Sequence, residues 1–417
     1  MKMSIISFNI QNFTVMDNML ERFDLEKTYQ YLLILLAFLM PLTVSGANLI
    51  IIIICFLWLF SGNYKAKYFQ IISNKLMIAS IVFYCLHIIG MLWTNDIHWG
   101  IHILHKMWYF LVLFPILFNI VDKKYINHYL SAFLLAIVIT EIISYLVWFQ
   151  IIPQFKNATV SNPTPFMSHI SYNPILALAI YLSYYKIFIN KNKIDSTFFI
   201  YCFFALSMTI NMFITGGRAG QVVYFVMLTI IIFQFFGKDK IKSLLTVLIL
   251  CPLIFFIAYQ ASEIFQMRVD QAIKNAMNYE IYTNTGVGER INFAINSWDI
   301  IKENLIVGVG TGDFPSEYQK INQINSPQMQ TTTNPHNMYT LITTQLGLIG
   351  LISLLSIFYY QIILSYNSSN QFFRHFGITL PLMFLVIMLS DSYLLGHYTT
   401  LVFIFFSSFL YKDFDKP

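Results

Sequence analysis

The chain has 417 residues, of which 57% are hydrophobic and 11% charged. A soluble domain carries about 25% charged residues, so this composition excludes a soluble globular protein and indicates an integral membrane protein. The formal net charge of +5 is modest and lies mainly in connecting segments, which argues against a nucleic-acid-binding surface. We also expect no cleaved signal peptide, because residues 1–27 lack a small-residue cleavage site before the first apolar run. The four cysteines lie in apolar runs and predict neither a disulfide framework nor a zinc site.

Apolar segments follow one another along most of the chain, and a membrane-spanning helix needs about 17–25 such residues. The first apolar run, 28–61, is too long for one helix and is interrupted at Pro41 and Gly46. We therefore divide it into two spans, although one tilted helix with a re-entrant piece would also fit. The twelve predicted spans are 28–44, 47–61, 76–92, 102–121, 128–151, 173–189, 196–215, 220–237, 242–261, 337–365, 375–391 and 394–411.

Basic residues are concentrated in alternate connections between these spans, as the positive-inside rule requires of cytoplasmic loops. The rich connections hold Lys65, Lys67, Lys75, Lys123, Lys124, Lys186, Lys191, Lys193, Lys238, Lys240, Lys242 and Arg374. The connections between them hold at most one lysine or arginine each, apart from the long segment 262–336. This alternation predicts that both termini are cytoplasmic and that 262–336 lies on the outer face.

The fold class that we predict is all-α, a polytopic integral membrane protein with about twelve transmembrane helices. The chain divides into an N-terminal transmembrane bundle at 1–261, with nine spans, an outer loop at 262–336, and three C-terminal spans at 337–417. No internal repeat relates one part of the chain to another. We also expect no soluble domain beyond the outer loop 262–336.

The outer loop has five basic and eight acidic residues, and its net charge of −3 argues against a surface for anionic lipid. Helical spacing of apolar residues at 262–280 and 289–304 predicts two amphipathic helices. Gly308, Gly310 and Gly312 predict a turn, and the polar stretch 321–333 is expected to be mobile.

Two arginines on the predicted outer side are candidates for binding phosphate. Arg218 lies in T-G-G-R-A-G at the start of a span, and Arg290 opens a predicted helix in T-G-V-G-E-R-I-N. A guanidinium group matches phosphate oxygens bidentately, and Gly216, Gly217 and Gly220 would let a backbone or a ligand come close. The alternatives are a snorkelling interfacial arginine at Arg218 and a surface ion pair at Arg290.

His336 lies in N-P-H-N, directly before an apolar span. Histidine titrates at about pH 6.5, so it can accept a proton from a hydroxyl at neutral pH. Asn334 and Asn337 flank it and are candidates for orienting the ring or binding a sugar. Free N–H groups at the start of the next helix favour an anion. The alternative is a turn that merely caps that helix.

Other polar residues on the outer side admit more than one interpretation. His98, His102 and His105 share a helical face with spacing suited to a metal. The neighbouring tryptophans and the scarcity of acidic or thiol partners favour an interfacial helix end instead. His169 and Asp391 are candidates for the cleft that holds the arginines, where either residue would orient a base or bind a sugar hydroxyl.

Three segments form a combined pattern: G-G-R-A-G at a span start, then G-E-R-I-N-F-A-I-N-S-W-D-I-I-K-E-N-L-I-V-G-V-G-T-G-D-F, then N-P-H-N-M-Y-T-L-I-T-T-Q-L-G-L-I-G. Together they resemble the O-antigen ligase and polymerase superfamily of bacterial envelopes over about 215–350, and the hydropathy profile extends the resemblance along the chain. The resemblance implies a GT-C-like fold in the bacterial inner membrane, with the active site on the periplasmic face.

Members of this superfamily take glycan from undecaprenyl diphosphate and pass it to an acceptor. By the resemblance, Arg218 and Arg290 match the diphosphate-binding arginines, and His336 matches the histidine that activates the acceptor hydroxyl. The H-N helix start favours an O-antigen ligase, whose acceptor is the lipid A–core oligosaccharide. A polysaccharide polymerase is the closest alternative. A protein O-oligosaccharyltransferase fits less well, because it usually carries an additional C-terminal region.

The expected reaction inverts the anomeric carbon and demands neither a metal nor another cofactor. The expected partners are the undecaprenyl-diphosphate-linked glycan, the lipid A–core oligosaccharide and membrane lipid, with no nucleic acid. A transporter or flippase would place its polar groups near the bilayer midplane, often in two related halves, whereas Arg218, Arg290, His336 and Asp391 map to one face. The scarcity of basic residues on that face departs from what a negatively charged core acceptor would be expected to meet.

Overall fold

The computed structural model describes residues 24–156, 158–189, 194–277 and 285–414. These ranges are helical, with no strand beyond an isolated bridge between Thr159 and Asn162. The α-helices, numbered in chain order, are α1 (Leu25–Leu39), α2 (Val44–Phe60), α3 (Tyr64–Ser73), α4 (Lys75–Gly90), α5 (Ile97–Met107), α6 (Leu113–Ile120), α7 (Ile126–Trp148), α8 (His169–Tyr184), α9 (Ser196–Ile214), α10 (Arg218–Phe236), α11 (Lys240–Ala261), α12 (Glu263–Met277), α13 (Gly288–Glu303), α14 (Phe314–Asn325), α15 (Met338–Tyr366), α16 (Gln371–Ile387) and α17 (His397–Leu410). The predicted all-α class is confirmed for the described residues.

Three expectations fall wholly or partly outside these ranges. They are the absence of a cleaved signal in residues 1–27, of which 1–23 are not described, the basic residues Lys191 and Lys193, and the end of the predicted helix at 278–280. The structure therefore neither supports nor opposes them.

Each of the twelve predicted spans overlaps one of these helices. Among the described residues, seven helical segments are long and apolar enough to cross a membrane: Lys75–Trp93, Ile97–Ile120, Lys123–Trp148, Ser196–Ile214, Arg218–Phe236, Lys240–Ala261 and Met338–Tyr366. The bent pair α2 and α3, with 116° between its two helices, would add an eighth, and α16 and α17 are apolar but shorter. The structure is thus consistent with a multi-pass membrane protein, and the count of twelve spans stays a prediction.

The first apolar run forms two helices, as the division at Pro41 predicted. Thr43 ends the intervening turn with an extended backbone, and its hydroxyl oxygen accepts the N–H of Gly46 at 3.3 Å. This side-chain cap satisfies an N–H that a helix start otherwise leaves unpaired.

Helix α17 lies in the middle of the bundle. It is buried throughout from Thr399 to Leu410, and Phe403, Phe405 and Phe406 have no exposed surface. A helix that is apolar on all sides is stable where other helices or lipid surround it. In α11, by contrast, only 11% of the apolar stretch is buried, so most of that helix is left for lipid.

The outer loop is more helical than predicted. Helices α12 and α13 confirm the two predicted amphipathic helices over the residues described. The expectation that 321–333 is mobile throughout is wrong for 321–325, which belong to α14. Helix α14 forms because Phe314 and Tyr318, one turn apart, bury their rings against Phe293 of α13, a contact that its polar sequence does not reveal.

The loop that follows α13 is built into a break in α15. At Gly347 the helix leaves helical geometry, with φ at 62° and ψ at −160°. The loop fills the gap with backbone hydrogen bonds, from Val309 N–H to the Thr344 carbonyl and from Leu348 N–H to the Leu305 carbonyl, both 2.9 Å. The outer loop and α15 therefore form one backbone-bonded unit, and the predicted glycine turn is part of it.

Asp313, which directly follows this glycine turn, fixes the start of α5. Its carboxylate is 1% exposed and accepts the N–H groups of Asn95 at 2.8 Å and of Asp96 at 2.7 Å. A carboxylate that accepts several N–H bonds at a helix start is stabilised by them and by the helix dipole. Helix α5 is thereby held against the outer loop.

We predict that Gly347→Ala destabilises the protein more than Gly62→Ala, which serves as the matched control. Both glycines have φ near +65°, at 62° and 66°, where an L side chain costs about 1–2 kcal/mol. A Cβ at Gly347 would lie 2.2 Å from the Ile306 carbonyl, whereas a Cβ at Gly62 meets nothing within 4 Å. The total cost at Gly347 should reach about 3 kcal/mol or more.

The measurement is the temperature at which each variant, purified in detergent, loses its monodisperse elution peak. Equal temperatures for the two variants would show that the loop does not hold Gly347 as tightly as the geometry indicates.

Candidate active site

The His336 turn joins the outer loop to α15. His336 has φ at 51°, in the left-handed region that few residues other than glycine adopt. Its N–H donates to the side-chain oxygen of Asn334 at 3.0 Å. Asn337 is the residue that caps α15, because its side-chain oxygen accepts the N–H of Thr340 at 3.0 Å. The turn does start the helix, as the alternative interpretation predicted, with Asn337 as the cap. The ring of His336 takes no part in the cap.

The imidazole of His336 lies between a carboxylate and an aromatic ring. Its Nδ1 is buried and 3.2 Å from Oδ1 of Asp391, and the ring stacks on Phe293 of α13 with 5.9 Å between the ring centres. The side chain is 36% exposed, compared with 15% for that of Asp391. The Nδ1 edge thus faces the protein. Among the described residues Nδ1 makes no hydrogen bond, so its contact with the Asp391 carboxylate is an electrostatic one at ion-pair distance, and Nε2 is left for another partner.

Asp391 lies in the connection between α16 and α17, where a small network surrounds its carboxylate. Oδ1 accepts the N–H of Ser392 at 2.7 Å and the side-chain amide of Asn334 at 3.0 Å. Burial raises the pKa of Asp391, but the adjacent His336 ring and these two donors outweigh it, so the pKa lies below its ordinary value. Asp391 is therefore ionised at neutral pH.

Both asparagines predicted to meet a sugar are used within the protein. The side-chain oxygen of Asn334 accepts from the Ser392 hydroxyl at 2.8 Å, in addition to the His336 N–H, and its amide serves Asp391. The amide of Asn337 donates to the Leu389 carbonyl at 3.2 Å. These contacts give the two residues a role in shaping the turn, and a role in binding a sugar stays a prediction.

Beside Asp391 is a cavity of about 110 Å³ that brings together arginines from three helices. Arg218 is the first residue of α10, Arg268 lies in α12, and Arg290 lies near the start of α13. The cavity is lined by His169, Ile170, Gly216, Gly217, Arg218, Ala219, Gly220, Arg268, Arg290, Asp391 and Tyr393. Among the described residues, no carboxylate lies within 4.0 Å of any of the three guanidinium groups. The cavity is therefore a concentrated positive charge without an ion-pair partner.

Sequence reasoning placed Arg218 and Arg290 together but missed Arg268. Arg268 is half-buried, and its Nε has no hydrogen-bond partner among the described residues. In the sequence it is one of five basic residues of the outer loop, with no glycine motif beside it. Its helical spacing shows only that it lies on an amphipathic helix, so no local signal distinguishes it.

The glycines of T-G-G-R-A-G have a packing role. A Cβ at Gly217 would lie 2.7 Å from the side chain of Asn173, and one at Gly220 would lie 2.3 Å from it. Helix α8 therefore packs directly against these two glycines. This contact positions the start of α10, where Arg218 lies. Only at Gly216 is there room beside the chain, with Arg268 the nearest neighbour at 3.6 Å.

His169, at the start of α8, does line the arginine cavity. Its Nδ1 accepts a hydrogen bond from the side-chain amide of Asn162 at 2.9 Å, and the oxygen of the same side chain accepts the N–H of Gly216 at 3.2 Å. With Nδ1 as the acceptor, the proton of the neutral ring is on Nε2. His169 is thus joined through Asn162 to the turn that carries Arg218.

A second cavity, of about 290 Å³, meets the first at Ile170, Asp391 and Tyr393, which line both. Its remaining lining comes from Trp99, His102, Ile103, Lys106, Ser171, Thr333, Asn334, Ser392, Leu395, Gly396 and Thr399. Within the described ranges no group of three His, Cys, Asp or Glu side chains is arranged to hold a metal ion, and this includes the histidines of α5. His336 lines neither cavity and contacts both through Asp391.

A third cavity, of about 540 Å³, is mostly apolar and lies between α7, α9, α11 and α12. Its walls include Phe213 and Ile214, just before the T-G-G-R-A-G turn, and Ser262 to Ile264, at the start of the helix that carries Arg268. The Ser262 hydroxyl donates to the Phe213 carbonyl at 2.7 Å, which holds the two ends together. The walls of this apolar cavity are therefore close in sequence to two of the arginines, Arg218 and Arg268.

The family model described as O-antigen ligase matches residues 203–355. That range contains Arg218, Arg268, Arg290 and His336, and it ends before Asp391. No curated protein matches the chain. The match supports the O-antigen ligase and polymerase superfamily, and it confirms the resemblance predicted from the three motifs.

Proposed function

We propose that the protein is an O-antigen ligase, a membrane glycosyltransferase that moves O-antigen glycan from undecaprenyl diphosphate to the lipid A–core oligosaccharide. The single observation that carries the proposal is the junction at Asp391. This carboxylate lines the cavity with three arginines and also contacts His336. A site for an anionic leaving group and a candidate base therefore adjoin.

The arginine cavity suits the diphosphate of the donor. Cleavage of a glycosyl diphosphate places negative charge on the leaving phosphates, so neutralising that charge matters more than a strong acid. Arg218, Arg268 and Arg290 would supply this neutralisation, and each charged hydrogen bond contributes about 1.5–3 kcal/mol. The apolar cavity between α9 and α11 would take the first part of the polyprenyl chain.

His336 would act as the general base. Nε2 accepts the proton of the acceptor hydroxyl while the hydroxyl oxygen attacks the anomeric carbon from the face opposite the diphosphate. The new carbon–oxygen bond forms as the bond to the diphosphate breaks, and its electron pair leaves with undecaprenyl diphosphate. The proton passes from the imidazolium to water or to the released diphosphate. Attack from the opposite face inverts the anomeric centre.

The proposed setting follows from the alternation of basic loops. Both termini would be cytoplasmic, and the outer loop 262–336 would cover the site on the periplasmic face of the inner membrane, between the N-terminal bundle 1–261 and the C-terminal spans 337–417. The fold would be of the GT-C type. A transporter is less well supported, because the arginines, His336 and Asp391 gather at one place, beside the outer loop.

We predict that His336→Ala stops glycan transfer without unfolding the protein. Loss of a general base typically lowers the rate by about 10²–10⁴-fold, and the turn is held by backbone and asparagine contacts that the ring does not make. The measurement is transfer from undecaprenyl-diphosphate glycan to core oligosaccharide in proteoliposomes. His98→Ala, on exposed α5 surface outside both polar cavities, is the control. Wild-type turnover by His336→Ala would refute the assignment.

Arg268→Ala and Arg290→Ala are each expected to raise the KM for the lipid-linked donor by about 10–100-fold, the equivalent of one lost charged hydrogen bond. The KM for the acceptor should change little. Donor titration in the same assay measures the effect, with Arg374→Ala on exposed α16 surface as the control. An unchanged donor KM for Arg268→Ala would remove that residue from the proposed diphosphate site.

A polysaccharide polymerase is the second candidate, because the family match applies equally to it. The two are distinguished by the lipopolysaccharide of a strain that lacks the protein. We expect lipid-linked polymer to accumulate without reaching the core, as loss of a ligase requires. Core that carries a single repeat unit would instead identify a polymerase.

A further inference from the structure

We infer that the second cavity, beside α5, binds the acceptor through a sugar that carries an anionic group, a phosphate or a carboxylate. This inference rests on the proposed transfer function, since it assigns the acceptor to the cavity that shares Asp391 with the arginine cavity. It names the cavity and the residues that would receive the acceptor, which the proposed function leaves open.

The arrangement of the two cavities suits a donor and an acceptor that must meet. They share Ile170, Asp391 and Tyr393 and otherwise have separate linings. Asp391 lines both cavities and lies 3.2 Å from Nδ1 of His336, so ligands in the two cavities would meet beside the carboxylate that contacts the proposed base. An acceptor in the second cavity would leave the arginine cavity free for the diphosphate of the donor.

The lining of the second cavity has the groups that bind sugars. Trp99 offers an aromatic surface, and its indole N–H is buried without a hydrogen-bond partner among the described residues. A buried unsatisfied donor is uncommon and calls for a partner, which a sugar hydroxyl would provide. Ser171 and Thr333 add hydroxyl groups to the lining. Its volume of about 290 Å³ is close to the lower end of ligand pockets, about 300 Å³.

Lys106 supplies the charge. It lies in the last turn of α5, is half-buried and lines the cavity, and within the described part of the chain no carboxylate lies within 4.0 Å of its ammonium group. His102, one turn earlier, lines the same wall and packs on Trp99, with 4.8 Å between ring centres. An ammonium group without an ion-pair partner in a sugar-sized cavity favours an anionic ligand.

The position of α5 makes this wall rigid. Asp313 accepts the N–H groups of Asn95 and Asp96, the two residues directly before the helix, at 2.8 and 2.7 Å, and Asp96 caps the helix by accepting the N–H of Trp99 at 2.9 Å. Lys106 therefore lies on a helix whose start is held in place by hydrogen bonds. Lys106 lies inside the predicted span 102–121. The positive charge that meets the acceptor would therefore come from a span, and the outer connections themselves can be poor in basic residues.

The test measures binding of three small probes, glucose 6-phosphate, glucuronate and glucose, to the full-length protein in phosphatidylcholine nanodiscs by saturation-transfer NMR. We expect at least one of the two anionic sugars to bind about tenfold more tightly than glucose, the effect of one charged contact. A preference for glucose 6-phosphate alone identifies a phosphate-bearing acceptor, and a preference for glucuronate identifies a carboxylate.

Lys106→Met should remove this preference and leave glucose binding unchanged, whereas Lys106→Arg should retain it. Lys302→Met is the matched control, because Lys302 is an exposed lysine of α13 paired with Asp299 at 2.8 Å. Trp99→Ala should weaken all three probes. Arg218→Ala tests whether the anionic sugars occupy the arginine cavity instead.

Equal binding of glucose and the anionic sugars to the wild type would overturn the inference. So would a preference that survives Lys106→Met and is lost in Arg218→Ala. These outcomes do not depend on glycan transfer. Full transfer by His336→Ala would overturn the proposed function while the sugar-binding result still stands, so the two failures are distinguishable.

Discussion

The insertion of the outer loop into the break of α15 is the constraint on which the geometry of the site depends. Hydrogen bonds from Val309 and Leu348 join the loop to both sides of Gly347. The loop continues from α13, which carries Arg290 and Phe293, and α15 begins at the His336 turn. A shift of the loop would therefore move an arginine of the cavity and the aromatic partner of His336 together, relative to the imidazole. Membrane helices alone would not fix this relation, because the loop lies outside them.

Asp391 is the second point of convergence, and its position explains why the site needs the last two helices. It lies between α16 and α17, beyond the region that matches the O-antigen ligase family. Burial disfavours its charge, yet the Ser392 N–H, the Asn334 amide and the His336 ring keep its pKa below the ordinary value. The His336 turn thus keeps the Asp391 carboxylate ionised, and the carboxylate in turn holds Asn334 of that turn. The His336 turn and the α16–α17 connection support each other.

Much of the fold could be predicted from the sequence, because hydropathy alone determines where a chain can cross a membrane. Each predicted span overlaps a helix, and the first apolar run forms two helices that are separated at Pro41, although their count as two spans stays a prediction. Helix α14 was missed because its stability comes from Phe314 and Tyr318 packing on Phe293, a contact between segments that a polar local sequence conceals.

The candidate site was predictable where local sequence is unusual. Arg218 between glycines and His336 before an apolar helix are such places, and the structure brings both near Asp391. Arg268 was not predictable, because an arginine on an amphipathic helix looks like surface. His102 is interpreted from the sequence as part of an interfacial helix end, and Lys106 belongs to no motif. Nothing in the spacing of α5 shows that its face meets the α16–α17 connection.

The charges around Asp391 favour separate positions for the leaving diphosphate and for the base. Three guanidinium groups, none with a carboxylate partner among the described residues, repel one another in this cavity, and binding of an anion would relieve that repulsion. The carboxylate of Asp391 borders the same cavity but repels a diphosphate, so it would keep the phosphates on the arginines and away from the imidazole. In the proposed reaction the same charge would stabilise the imidazolium that forms as the acceptor loses its proton. One ionised carboxylate would thereby separate the leaving group from the base and assist the proton transfer.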